Sequence, residues 1–144
     1  MDFQVVIVTG CLLISLQMQG IEGTARRPAG NQMPSPRYHP GPLPGVKATI
    51  CIFGLTNDNQ VIKTAKAGLY RAVQTRLIRQ IDTDDSGRFR IELPPGAYSV
   101  FTKKGQLFYA TRRDEKNNIA PVEVLPGKMT RVECNVESDH TAVY

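Results

Sequence analysis

Hydrophobic and polar residues alternate in short runs along most of this chain. In "RFRIEL", residues 88–93, Phe89, Ile91 and Leu93 fall on one side and Arg88, Arg90 and Glu92 on the other. A period of two marks a strand with one buried face, because successive side chains of an extended backbone point in opposite directions. "AYSVFTKK" (97–104) repeats the pattern with Tyr98 and Val100 on the core side. "VKATICIFGL" (46–55) does so with Val46, Ala48, Ile50 and Ile52. Further strands are predicted at "GIEGTARR" (20–27), at about 73–82, at "LFYAT" (107–111), and on both sides of "LPGK" (125–128). "TNDNQVIKTAKAGLYR" (56–71) is polar and suits a loop with at most one helical turn. Residues 28–45 hold six of the ten prolines and read as a long Pro/Gly-rich loop. The expectation is an all-β fold, an antiparallel seven- to eight-stranded Greek-key β-sandwich.

Composition agrees with one folded domain of ordinary size. Of 144 residues, 41% are hydrophobic and 22% charged, which is the balance of a packed chain rather than a disordered one. The formal charge of +5 favours solubility and weak attraction to anionic surfaces but names no partner. The basic residues are scattered, and no aromatic platform interleaves with them, which argues against nucleic acid as a partner.

The N-terminal stretch "VVIVTGCLLISL" (5–16) is an apolar run of twelve residues. About twenty are needed to cross a bilayer, so it fits the core of a signal peptide rather than a transmembrane helix. The expectation is export, with residues 1–20 as signal peptide and cleavage near 20–23, although "MDFQ" lacks the usual basic residue. A buried first strand is the alternative. "VTGC" resembles a lipobox, which would acylate Cys11, but the apolar run continues past it. Unanchored cleavage is therefore favoured, leaving a mature domain over 21–144 with no transmembrane segment.

Cys51 and Cys134 then stay in the mature chain. Alternation puts Cys51 opposite the apolar face of its strand and Cys134 on the apolar face of its own, beside Val132 and Val136. Side chains that point to opposite faces are not placed to bond, so no disulfide is expected.

The acids in "DTDDSG" raise a calcium question. Asp82, Asp84 and Ser86 occupy the first, third and fifth positions of an EF-hand spacing, with Gly87 sixth. Leu93 stands where the closing glutamate belongs, so these three residues are only a weak metal candidate. A hairpin turn needs less: Asp and Ser side chains to bond the turn's own backbone, and a glycine for positive φ.

"TDDSGRFRIELPPGAYSVFTKKG" resembles the signature of carboxypeptidase regulatory-like domains, which are transthyretin-like (prealbumin-like) β-sandwiches. "GIEGTARRPAGNQMPSP", "LFYA", "NNIAPVEV" and "TAVY" look like a narrower group of small exported single-domain proteins of Gram-negative envelopes. The resemblance implies an accessory, adhesion or assembly role in the periplasm or at the outer membrane. It offers no catalytic residues and no cofactor.

The residues agree with that implication. His39 and His140 have no metal-binding context, and no serine sits in a nucleophile motif. The leading expectation is a non-enzymatic module that binds an envelope protein, with the 28–45 loop, the "TRRDEK" loop and open sheet edges as its surfaces. The alternative is a carbohydrate- or polyanion-binding module. It would use Lys103, Lys104, Arg112 and Arg113 around Tyr109, with Tyr38 and Tyr70 also near loops.

Overall fold

The computed structural model describes residues 18–27 and 45–136. The segment around Cys11, most of the Pro/Gly-rich loop with Tyr38 and His39, and the tail with His140 lie outside the described residues. Among the described residues the fold is a β-sandwich of ten strands. They are β1 (Gly20–Arg26), β2 (Thr49–Gly54), β3 (Val61–Lys63), β4 (Leu69–Val73), β5 (Leu77–Asp82), β6 (Arg88–Glu92), β7 (Gly96–Lys104), β8 (Leu107–Tyr109), β9 (Pro121–Val124) and β10 (Met129–Asn135). One sheet has the order β10-β1-β6. The other runs β3-β4-β8-β7-β2-β5, with β9 also paired to β7. All pairings of the larger sheet are antiparallel, whereas β1 pairs with β10 in parallel.

The polar segment 56–71 is more ordered than its composition suggests. Asn57 caps a single 3-10 turn, Asp58–Gln60, through a reciprocal bond pair with Gln60. The chain then forms the β3–β4 pair. The single strand expected over 73–82 is broken at 74–76, between β4 and β5.

Between the sheets lies the main core. Ile21 and Ala25 of β1, Phe89 and Ile91 of β6, and Val132 and Cys134 of β10 meet Ile50 and Ile52 of β2, Tyr98 and Val100 of β7, and Val122 and Val124 of β9. Ile21, Ile50 and Ile52 are fully buried, and each such side chain contributes about 1.5–3 kcal/mol relative to exposure.

The back of the larger sheet carries a second core. Cys51 and Phe53, which alternate with Ile50 and Ile52 along β2, pack there with Tyr70, Phe101, Ala110 and Ile119. Phe53 meets the rings of Phe101 and Phe108 edge-on, with centroids 5.5 and 5.4 Å apart. The sheet covers this face by curling on itself. Four strand-to-strand steps separate β4 from β5 in the sheet, roughly 19 Å if it were flat. Only residues 74–76 link the two strands, and from Val73 to Leu77 the chain reaches about 14 Å. A curved sheet satisfies both. The linker is tied down where it turns, by Gln74 N–H to the Gln60 carbonyl, Gly54 N–H to the Arg76 carbonyl, and a 2.7 Å bond between the hydroxyls of Thr56 and Thr75.

The acid-rich turn is tight but does not close a hairpin. Its two strands belong to different sheets, since β5 pairs with β2 and β6 pairs with β1. The turn is an arch between layers. Local chemistry bends the chain there, and the partners already beside β5 and β6 decide what each strand bonds to. "LPPG" returns the chain to the larger sheet, where the Tyr98 hydroxyl donates to the Pro94 carbonyl at 2.6 Å.

Candidate functional site

The three weak metal candidates serve the arch instead of converging. Asp84 Oδ1 accepts the amides of Ser86 and Arg88, both at 2.9 Å. Asp82 Oδ1 accepts the Thr49 hydroxyl at 2.7 Å, back on the edge of β2. Among the described residues no group of three His, Cys, Asp or Glu side chains is placed to hold a metal ion.

The proposed basic patch divides. Lys103 pairs in register with Thr49 and Phe108, and its charge is felt by the Cys51 thiol on the aromatic side of the sheet. Arg112 acts on Cys134, on the inter-sheet side. Lys104 pairs in register with Leu107, and Tyr109 is half-buried in β8, its carbonyl accepting the Thr102 hydroxyl. Tyr70 is not a loop tyrosine: it is 2% exposed, packed edge-on against Phe101 at 6.0 Å.

Arg113 is committed to an internal clamp. It donates to Asp58 Oδ1 and, at 2.8 Å, to the Tyr70 hydroxyl. Lys63 Nζ donates to the other Asp58 oxygen at 2.9 Å. Those two cations hold the Asp58 carboxyl below its ordinary range, Lys63 through the larger effect. The clamp joins residues 55 positions apart and pins the 110–120 segment over the second core. No sequence pattern announces a pair at that separation.

Both described cysteines are free and buried. Cys51 faces the second core rather than solvent, because the face opposite Ile50 and Ile52 is itself covered. The two thiols therefore lie on different sides of the larger sheet. Burial pushes Cys51 up to about 11 and Cys134 up to about 12, against an ordinary 9.0. Both are protonated at neutral pH, which is the state of packing residues and not of nucleophiles.

Sequence reasoning noted the outward arginines of β6 without assigning them a role. The structure sets them beside Arg131 of β10 on the outer face of the smaller sheet, over a depression of about 930 Å³. A second cavity, between Tyr109, Val132 and Asn135, is about 30 Å³, room for a single water.

Among the described residues β3, β5 and β9 each pair with a single strand of the larger sheet. β5 is twice as long as β3, with six residues against three, and exposes Leu77, Arg79, Gln80 and Asp82. At the other end of the fold, β1 starts inside the expected cleavage interval. The Gln19 carbonyl accepts the Leu93 amide and its side chain accepts that of Gly127, while Ile21 is wholly buried. Removal of the chain through Gly23 would take Ile21 out of the core. Scans against protein-family models, curated proteins and solved structures found no match to this chain.

Proposed function

We propose that this protein is an exported, non-catalytic accessory module of the cell envelope that binds another protein by strand addition at the β5 edge. The reading builds on the apolar N-terminal run and on the resemblance of residues 83–105 to carboxypeptidase regulatory-like, transthyretin-like domains. The observation that carries it is β5 itself. Among the described residues the strand is paired only to β2, and it presents a six-residue edge that starts at Leu77, which is 45% exposed. An unpaired strand offers main-chain donors and acceptors to an incoming segment, and the side chains beside it set which segment fits. The non-catalytic part of the reading draws on the protonated thiols and on the engagement of Asp82, Asp84 and Arg113 in turns and clamps.

The test is site-specific photo-cross-linking in cells, with the reactive side chain at Arg79 on β5 and, separately, at Lys128 in the β9–β10 turn. One discrete heavier product from position 79 that is absent from position 128, and is lost when Leu77→Glu is added, supports the reading. Equal products from both positions, or none from 79, would overturn it.

A further inference from the structure

We propose that one end of the sandwich, formed by residues 18–19, 93–96 and 125–128, rests on a neutral lipid surface, with Met18 and Leu125 as its inserted side chains. The contact is made by turns, not by the edge of β5, and does not depend on the strand-addition reading.

Gln19 gathers the three segments. Its carbonyl accepts the Leu93 amide at 3.2 Å and its side chain accepts the Gly127 amide at 3.1 Å, while Gly96 pairs in register with Val124. Met18 and Leu125 are each 43% exposed, and Pro94, Pro95 and Pro126 are exposed as well. Leu55, also exposed, stands at the same end, one residue past the Gly54–Tyr98 pair.

The backbone of these turns is prepared to lose water. An amide that enters lipid without a partner is costly. Pro94, Pro95 and Pro126 carry no amide hydrogen. Those of Leu93 and Gly127 go to Gln19, and that of Lys128 goes to the Leu125 carbonyl at 3.3 Å. Acceptors are engaged too: the Pro94 carbonyl takes the Tyr98 hydroxyl and the Lys128 carbonyl takes the Gly20 amide. A protein strand would need the opposite, a row of open donors and acceptors.

Charge neither selects the occupant nor opposes it. Glu92 and Glu123 stand one and two residues back from the turns, on β6 and β9, and Lys128 and Arg76 offset them at this end. What is left is apolar surface on the tips of turns, which suits the interfacial layer of a bilayer. The chain itself brings this end to lipid. The apolar run 5–16 stops two positions before Met18, a reach of about 7 Å, so a membrane that takes up the run lies beside the turns.

The chain has no tryptophan, so a single introduced one reports on a single place. Leu125→Trp and, as control, Gln106→Trp in the turn after β7 are made in the full chain and mixed with phosphatidylcholine vesicles whose acyl chains carry bromine, a contact quencher. The nine residues of β7 separate the two sites by about 30 Å. Emission at 125 should fall by about twofold or more relative to unbrominated vesicles, while emission at 106 stays nearly constant. Met18→Glu added to Leu125→Trp should cut that quenching by about threefold, and Met18→Leu should preserve it, which separates lost apolar contact from damage to β1. Raising ionic strength about tenfold should change it by less than about 1.5-fold. No quenching at 125, equal quenching at both sites, or quenching unmoved by Met18→Glu or lost equally in Met18→Leu would overturn the proposal. Quenching abolished by salt would overturn a neutral surface as the occupant.

Discussion

Residues 84–88 and 114–118 form the same turn twice, with different consequences. In each, the first aspartate accepts the amides two and four residues on, and its own amide donates to the carbonyl four residues on. In each, the fourth residue takes a left-handed backbone: Gly87 at φ 80° and Asn117 at φ 64°. The first turn spells its chemistry as "DDSG", the second as "DEKN" inside a charged run, and only the first reads as a turn from sequence. Asparagine tolerates the left-handed region nearly as well as glycine because its side chain bonds locally. The difference between the two turns is packing. Gly87 lies under backbone: a β-carbon there would stand 2.6 Å from the Ala25 carbonyl oxygen and 2.7 Å from the Val46 amide nitrogen. Asn117 is exposed. One device can be a keystone or a surface loop, depending on what covers it.

Alanine at the fourth position of each turn should separate the two roles. Gly87→Ala is expected to cost about 3 kcal/mol, from the left-handed backbone together with displacement of the chain around Ala25 and Val46. Asn117→Ala meets the backbone term alone and should cost about 1 kcal/mol. Urea denaturation of both variants decides it, and equal losses would show that the cover over Gly87 does not matter.

The second turn is held to the 57–58 segment by the Asp58 amide on the Asn117 carbonyl and the Asn57 side chain on the Lys116 carbonyl, with Arg113 clamping Asp58 beside it. Cutting the clamp should loosen the turn without melting the sandwich. Arg113→Gln is expected to cost less than about 1 kcal/mol globally, because the side chain is a third exposed and its pairing is screened. Amide exchange should nevertheless speed up in residues 112–119 and stay unchanged in β1 and β6. Equal acceleration in all of these segments would refute the local role.

Acid offers the finest discrimination. Hydrogen bonds from the Asn118 side chain, and then from backbone amides, hold Asp114 below its ordinary 3.8, and Asp58 is lowered by Lys63 and Arg113. A carboxyl whose folded value is depressed stabilises above its unfolded value and loses that contribution as pH falls through the folded one. The 112–118 segment should therefore loosen as pH drops below about 3.8, before the inter-sheet core responds. Chemical shifts of the Lys116 and Asn118 amides followed through an acid titration would show the step, and Asp114→Asn should abolish it.

Much of the fold is legible in the chain. Alternation places Phe89, Ile91, Leu93, Tyr98 and Val100 in the core, because a half-buried strand leaves its inward face no choice but apolar residues. The same reasoning sends Cys51 to the outside, since one strand's pattern shows which residues share a face but not whether a second layer covers the other. That cover comes from the curl of the larger sheet, which follows from a three-residue link between strands four places apart. The likeness of the two aspartate turns was half hidden because different residues can hold the left-handed position.

The candidate surfaces divide in the same way. Outward arginines on β6 follow from alternation alone. Their meeting with Arg131 needs the parallel pairing of β1 with β10, a contact over more than a hundred residues that local pattern does not encode. The Asp58–Arg113 clamp is likewise a product of distant segments arriving together. By itself the sequence determined most of the strands, the apolar face of each and the bend at Asp84, because these depend on backbone geometry and neighbouring residues. Only the tertiary structure decided which strands share a sheet, which of the two aspartate turns has its fourth residue covered, and which scattered charges stand side by side, because each depends on chain closure and on what packs across the gap.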